Sequence, residues 1–333
     1  MQGILPYVAR RLLWAPPILI AVSFIAFTVT RFGPGDPISV AQGQFRDPEA
    51  LARVRAELGL DKPFYEQYGI YMRDLILHGD LGESYRFRDR SVSELIFPRM
   101  WVSAQLGLIA LAITFAVGIP VGILAALRQG TWADPAAIST FLFFQSVPVL
   151  VTIPVLLLIF VVKLDWLPVG GWGCPIRIGA LPADIECIGV PSRRVIIPAL
   201  AMSLPGVAGV ARLARATTLA VLGEDYVRTA RAKGLREFTV VSRHVARNAL
   251  LPLVTVVGIS LVTLLEGAFF SETLLGINGI GRLAFESIPS RDYNVILALA
   301  LIIAVAFIVA NIVIDVAYTF IDPRVRYERG RAT

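Results

Sequence analysis

The sequence predicts an all-α, polytopic membrane protein with six transmembrane helices and both termini cytoplasmic. Three observations predict this class. Hydrophobic residues make up 56% of the 333 positions and the mean hydropathy is +0.69. Charged residues make up 17%, against about 25% in an average soluble domain. Long apolar runs recur, each able to supply the roughly 20 helical residues that a bilayer crossing needs.

The N-terminal segment, 1–32, carries the first span, from about Leu12 to Thr30 behind Arg10 and Arg11. Its apolar run exceeds the roughly 7 to 15 residues of a signal peptide, and Thr30-Arg31-Phe32 offers no small-x-small cleavage site, so it reads as an uncleaved anchor. Residues 33–100 form an extracytoplasmic helical segment. Gly33-Pro34-Gly35-Asp36-Pro37 cannot continue a helix. Asp47-Pro48-Glu49 then opens a short amphipathic helix that stops at Gly59. A second runs from about Pro63 to His78, with Phe64, Tyr68, Tyr71, Met72 and Leu75 on its apolar side and Gly79 at its end. These helices either cover the bundle or help to receive a partner outside the membrane.

Residues 101–322 form a five-helix core, with spans near 101–127, 136–162, 195–222, 251–271 and 294–320, followed by a cytoplasmic tail, 323–333. Pro16, Pro17, Pro120, Pro148, Pro154, Pro198 and Pro205 would break a lone helix; in a bundle, neighbouring helices satisfy the freed carbonyls.

Orientation follows from the basic residues. Placed inside are Arg10, Arg11, Arg128, the set Arg212, Arg215, Arg228, Arg231, Lys233, Arg236, Arg243 and Arg247, and the tail arginines Arg324, Arg326, Arg329 and Arg331. The loop 164–193 holds Arg177 and Arg193, and the loop 272–293 holds Arg282 and Arg291, each with acidic residues. This asymmetry puts both termini inside. The net charge of +6 therefore reads as membrane topology, not as a nucleic-acid footprint.

The cysteines Cys174 and Cys187 share the outer loop 164–193. On an oxidising side they can pair, contributing about 3 kcal/mol in the loop-entropy account; the alternative is two reduced thiols. Two cysteines with the distant His78 and His244 do not make a metal ligand set.

The stretch Glu224-Asp225-Tyr226-Val227-Arg228-Thr229-Ala230-Arg231-Ala232-Lys233-Gly234 lies between two spans, in the inner loop 223–250. Asp225 can cap a short helix, Ala230 and Ala232 keep it narrow, and Gly234 ends it. Such a rod suits a groove on a soluble partner. It also suits a solvated linker whose arginines meet lipid headgroups or nearby acids.

Here the sequence resembles a known family. Asp225 through Gly234 is similar to the cytoplasmic loop of binding-protein-dependent ABC importer permeases, in the wording of the peptide and nickel branch. That family's general Glu-Ala-Ala triplet is replaced by Arg228-Thr229-Ala230, and Leu251-Pro252 comes a few residues late. Gly33-Pro34-Gly35-Asp36-Pro37, Leu58-Gly59-Leu60-Asp61-Lys62-Pro63, Gly79-Asp80-Leu81-Gly82 and Asp322-Pro323-Arg324-Val325-Arg326-Tyr327 resemble the first permease subunit of dipeptide and oligopeptide importers. Gly276-Ile277-Asn278-Gly279-Ile280-Gly281 stands where that family often has Pro-Gly-x-Gly, without the proline.

The resemblance implies a type I ABC importer permease fold in the cell's inner membrane. It implies a second homologous permease subunit as heterodimer partner, two ATPase subunits or domains, and an extracytoplasmic solute-binding protein. It also implies that the short helix couples to the ATPase, with Asp225, Tyr226, Ala230, Ala232, Lys233 and Gly234 as contact residues. None of the three lysines, Lys62, Lys163 and Lys233, follows a glycine, so the chain has no Walker A loop. ATP and Mg are expected on the partner ATPases, with no cofactor and no catalytic residue on this chain. Peptides are the expected solute; nickel chelates, glutathione and sugars are the alternatives within the branch.

Polar residues inside spans are candidates for the translocation path: Glu266, Gln145, Ser146, Ser203 and Thr263. A charge at the bilayer centre costs about 2.5 to 3.5 kcal/mol on insertion scales, so Glu266 should face protein or water, or lie near the outer interface. Two other classes fit less well. A secondary transporter would carry duplicated halves or paired interrupted spans, and neither is visible. A membrane enzyme would have to use His78 or His244, which fall on opposite sides of the membrane without a nucleophile motif.

Overall fold

Two glycines four residues apart, Gly118 and Gly122, let two long helices approach closely. The computed structural model describes residues 4–32, 61–87, 90–172 and 192–321. The α-helices of eight residues or more are α1 (Ile4–Phe32), α2 (Phe64–His78), α3 (Val92–Leu127), α4 (Ala133–Ser146), α5 (Val149–Leu157), α6 (Ile196–Leu222), α7 (Asp225–Ala232), α8 (Leu251–Leu275), α9 (Ile280–Ser287) and α10 (Tyr293–Ile321). Four stretches are long and apolar enough to cross a membrane: Arg11–Phe32, Val92–Leu127, Arg193–Leu222 and Tyr293–Val313. The pair Ala133–Ser146 and Val149–Lys163 makes a fifth if counted as one bent span. The helix α8 occupies the place of the span expected at 251–271. The expected helix ending at Gly59, and Cys174 and Cys187, lie outside the described residues.

The first span, expected from about Leu12 to Thr30, is found at Arg11–Phe32, within a helix that begins by Ile4 and runs unbroken through Pro16 and Pro17. Two other expectations need correction. The second span starts at Val92, not at 101, inside the segment assigned to 33–100. Ser91 caps it, its Oγ accepting from the Glu94 amide at 3.3 Å, a capping-box pattern of Ser followed three residues later by Glu. The third span, expected as one helix over 136–162, is two helices bent by 106°. Pro148 has no amide hydrogen to donate, and it forces Val147 into an extended conformation (φ −87°, ψ 123°). Pro154, by contrast, lies inside α5 without ending it.

The contact between α3 and α6 is built on small residues. A Cβ on Gly118 would lie 2.8 Å from Val210 Cγ1, and one on Gly122 would collide with the Ala211 carbonyl oxygen. One on Gly206 would lie 3.0 Å from Thr114 Cγ2. In lipid, apolar surface gains nothing by leaving the tails, so helices associate through such close approaches. Thr114 Oγ1 donates to its own Ala110 carbonyl at 2.8 Å and approaches the Ser203 carbonyl across the seam at 3.4 Å. Residue numbers rise together along both helices, so α3 and α6 run parallel, and the chain must return between them. The bent α4–α5 pair supplies the return. Leu106, Ile153, Ile197, Ala199, Ala201, Ala268 and Ile277 fill the core beside the seam. Arg215 of α6 grips Asp134 at the start of α4 with two bonds, Nε to Oδ1 at 2.5 Å and Nη2 to Oδ2 at 2.6 Å.

Replacing Gly122 by leucine should lower the thermal midpoint of the detergent-solubilised protein clearly, since overpacking a tight contact costs about 1–3 kcal/mol. Gly209→Ala is the control: a Cβ there meets nothing within 4 Å, so its midpoint should stay level or rise.

Candidate functional site

The loop that joins α6 to α8 folds back on itself around four small apolar side chains. After α6 ends at Leu222, Gly223 and Glu224 turn the chain, and α7 follows with eight residues. A helix this short is unstable alone and needs tertiary support. Val227 and Ala230 supply it by packing on Val240 and Val245 of the returning helical segment 237–249, with Val221 and Leu222 alongside. The Asn248 amide nitrogen donates to Tyr226 Oη at 2.8 Å. Arg231 donates to both carboxylate oxygens of Glu237, at 2.7 and 3.2 Å. Those bonds hold the Glu237 carboxyl below its ordinary range and raise the Arg231 guanidinium. A depressed Glu237 contributes stability above the usual glutamate range and loses it as the pH falls through the lowered value. Both groups are exposed, so the contribution is small, about 1 kcal/mol at most.

The six residues expected to contact an ATPase are thus placed unequally. Asp225, Tyr226, Ala232, Lys233 and Gly234 are exposed, and Ala230 is turned inward, 6% exposed. Glu224, not Asp225, occupies the N-cap position, and it makes no side-chain cap bond. Gly234 follows the last turn with φ +75°, a left-handed geometry that favours glycine and ends the helix as the sequence suggests. The sequence reading passed over Phe238, which is 82% exposed beside Leu235 at 42%. Two bare apolar side chains on a charged loop are the signal that could have found them.

The opposite end of α3 carries a second built surface. An isolated antiparallel bridge joins Glu83 to Ser91, just ahead of α3. Asp292, buried between α9 and α10, receives the Ser84 hydroxyl and the amides of Tyr85 at 3.1 Å and Arg86 at 3.4 Å. Asn294 donates to the Glu83 carbonyl at 2.8 Å. Outside this buried knot, Arg86 and Arg282 both bond Glu286, at 3.1 and 2.8 Å. Burial pushes the Tyr85 phenol above its ordinary range. Leu81, Val92, Leu95, Ile280, Leu283 and Val295 pack beneath.

Glu272 organises the same end. It is fully buried and accepts from Ser103 Oγ at 2.5 Å and from the amides of Gly281 at 2.7 Å and Arg282 at 3.3 Å. Ser103 Oγ accepts in turn from the Ile280 amide at 2.9 Å. The orphan amides at the start of α9 are thereby satisfied by side chains from α8 and α3. A Cβ on Gly279 would collide with the Glu272 carboxylate, which accounts for the glycine-rich run 276–281. The proposed path residues are scattered. Gln145 and Ser146 are exposed at the α4–α5 bend. Ser203 is fully buried in the α3–α6 seam. Thr263 and Glu266 lie on α8, where their side chains are outside the described residues.

The described residues thus form a helical bundle with apolar spans, an exposed short-helix loop at one end and a buried polar knot around Asp292 at the other. The chain belongs to the family of binding-protein-dependent transport system inner membrane components. That family's profile matches residues 118–327, and the profile of its N-terminal region matches residues 4–89. The chain is 34% identical over 323 residues to the oligopeptide transport system permease protein OppB of Haemophilus influenzae, covering 97% of this chain and 100% of that protein. It is 35% identical over 340 residues to the dipeptide transport system permease protein DppB of Escherichia coli, covering 98% and 100%. The DppB of Alkalihalophilus pseudofirmus is 35% identical over 338 residues. Among solved structures, the MetNI methionine ABC transporter in inward-facing conformations matches with a TM-score of 0.54 at 16% identity, over 69% of this chain and 97% of that chain. The fold is that of a type I ABC importer permease, and the protein is a multi-pass component of the inner membrane.

Replacing Asp292 by alanine leaves buried amides unpaired and removes charge-assisted bonds, each worth about 1.5–3 kcal/mol. Hydrogen exchange at residues 84–86 should accelerate strongly in that variant, while exchange along α6 stays unchanged.

Proposed function

We propose that this chain is the peptide-translocating permease subunit of an ATP-driven importer. The observation that carries this reading is similarity over the whole length to dipeptide and oligopeptide permeases. In this reading the chain crosses the membrane six times with both termini cytoplasmic, and α8 is the fifth crossing. A second, homologous permease subunit completes the path, two ATPase subunits bind and hydrolyse ATP with Mg, and a solute-binding protein delivers peptide from outside. The lysine positions, none of which follows a glycine, support assigning ATP hydrolysis to other subunits.

The coupling step follows from how α7 is held. Its inward face is fixed to the return of the loop, so a push on its outward face moves the ends of α6 and α8 with it. Tyr226, Lys233 and Gly234, with Leu235 and Phe238 beside them, form the contact that an ATPase cleft would grip. Closure of the two ATPases around ATP would then rock the permease halves between inward-open and outward-open states. At the other end, Arg86, Arg282 and Glu286 offer a charged rim on a rigid base, suited to receiving the binding protein.

Gly234→Trp is expected to separate the two activities. In vesicles containing the complete importer, peptide uptake should fall at least about tenfold, the equivalent of 1.4 kcal/mol, while ATP hydrolysis continues and the permease remains inserted. Uptake equal to the unmodified importer would contradict the coupling role, and uptake of another solute class with no peptide uptake would contradict the substrate.

A further inference from the structure

The helices α1 and α10 pack together but leave a cleft between them, with a volume of about 770 Å³. That lies within the range of about 300–1,000 Å³ typical of ligand pockets. Ala15, Ala300 and Ala304 make the room, because each withholds side-chain volume where its neighbours are large. Trp14, Ile18, Ile303 and Phe307 wall the cleft and stay about half exposed. Arg11 is the one charged residue of the lining. Asn311 is the other polar residue there, and its amide nitrogen donates to the Phe307 carbonyl of its own helix at 2.9 Å.

The dimensions match one leaflet. On α1 the lining runs from Arg11 to Val22, about 16 Å at the helical rise of 1.5 Å per residue. Half of the hydrocarbon core of a bilayer is about 15 Å. Arg11 sits at one end of the α1 stretch, where a leaflet matched to the cleft would place its headgroups, and the α1 residues beyond it are Trp14, Ala15, Ile18 and Val22. An arginine binds phosphate through its planar fork.

We infer that the α1–α10 cleft is a lipid site that holds one acyl chain of an anionic phospholipid, with Arg11 against its phosphate. With α1 and α10 running in opposite directions, Arg11 and Asn311 fall at the same end. The proposed topology makes that the cytoplasmic leaflet, so only the choice of leaflet rests on the functional reading above. The lipid would fill the cleft beside the first helix and tie it to α10, where direct side-chain packing is incomplete.

The test uses the full chain, extracted in mild detergent from membranes containing phosphatidylglycerol and phosphatidylethanolamine and weighed intact by native mass spectrometry. One retained phosphatidylglycerol per chain is expected, in excess over phosphatidylethanolamine. Arg11→Gln should reduce that retention about fivefold, the factor corresponding to one basic residue at an anionic surface, and Arg11→Lys should restore part of it. Ala304→Trp, which fills the cleft from the α10 side, should lower retention of both lipids; circular dichroism checks that each variant is folded. Equal retention in all variants, or retention without headgroup preference, would overturn the inference. So would a photoreactive group at Ile303 that captures a protein chain instead of lipid in the assembled importer. None of these readouts requires transport, so a failed lipid site and a failed transport assignment are told apart.

Discussion

The parallel contact of α3 with α6, at Gly118, Gly122 and Gly206, is the constraint on which the rest of the molecule depends. In water the burial of apolar side chains would hold such helices together; in lipid that drive is missing, and backbone proximity with matched surfaces has to replace it. The glycines let α6 approach closely enough for Thr114 to reach the Ser203 carbonyl. The Asp134–Arg215 pair then pins the bent third span to the same helix. Because α6 is fixed in this way, whatever is attached to its end inherits its rigidity. Only Gly223 and Glu224 separate it from α7, and the valine cluster around Val227 closes the joint.

The far end is held by a different kind of bond. Two buried carboxylates, Asp292 and Glu272, each gather hydroxyl and backbone amide donors from segments distant in sequence. A buried carboxyl group is tolerable only when it is hydrogen-bonded; Glu272 receives the first amides of α9, and Asp292 receives the amides of Tyr85 and Arg86. The loop between α6 and α8 is thus tied down by packing and the opposite end by polar knots. A bundle fastened at both ends suits the rocking motion proposed above.

Much of this was legible in the sequence, because the readable signals were local. Hydrophobic length located the helices of the core, and glycines at 79 and 234 marked helix ends that the structure reproduces as left-handed residues. Proline was an ambiguous signal: Pro148 breaks the third span, whereas Pro16, Pro17, Pro120 and Pro205 sit inside helices, and only the packing around each decides. The Ser91–Glu94 cap is a local signal masked in the sequence by Pro98, which lies inside the same helix. Asp134 and Arg215 are 81 residues apart, and Ser84 and Asp292 are 208 apart, so no pattern along the chain connects them. The inward turn of Ala230 was equally hidden, since it depends on valines that the loop brings back from 240 and 245.

The central claim is that α7 is a rigid handle on the cytoplasmic face, gripped by a motor made of other chains. A cysteine at Thr229, on the exposed side of α7, in a chain whose Cys174 and Cys187 are replaced by serine, tests it most directly. In the assembled importer that cysteine should crosslink to an ATPase subunit, with a yield that changes when ATP is added, and should resist membrane-impermeant thiol reagents applied from outside intact cells. Labelling from the outside, or a crosslink yield indifferent to both the ATPase and ATP, would contradict the account.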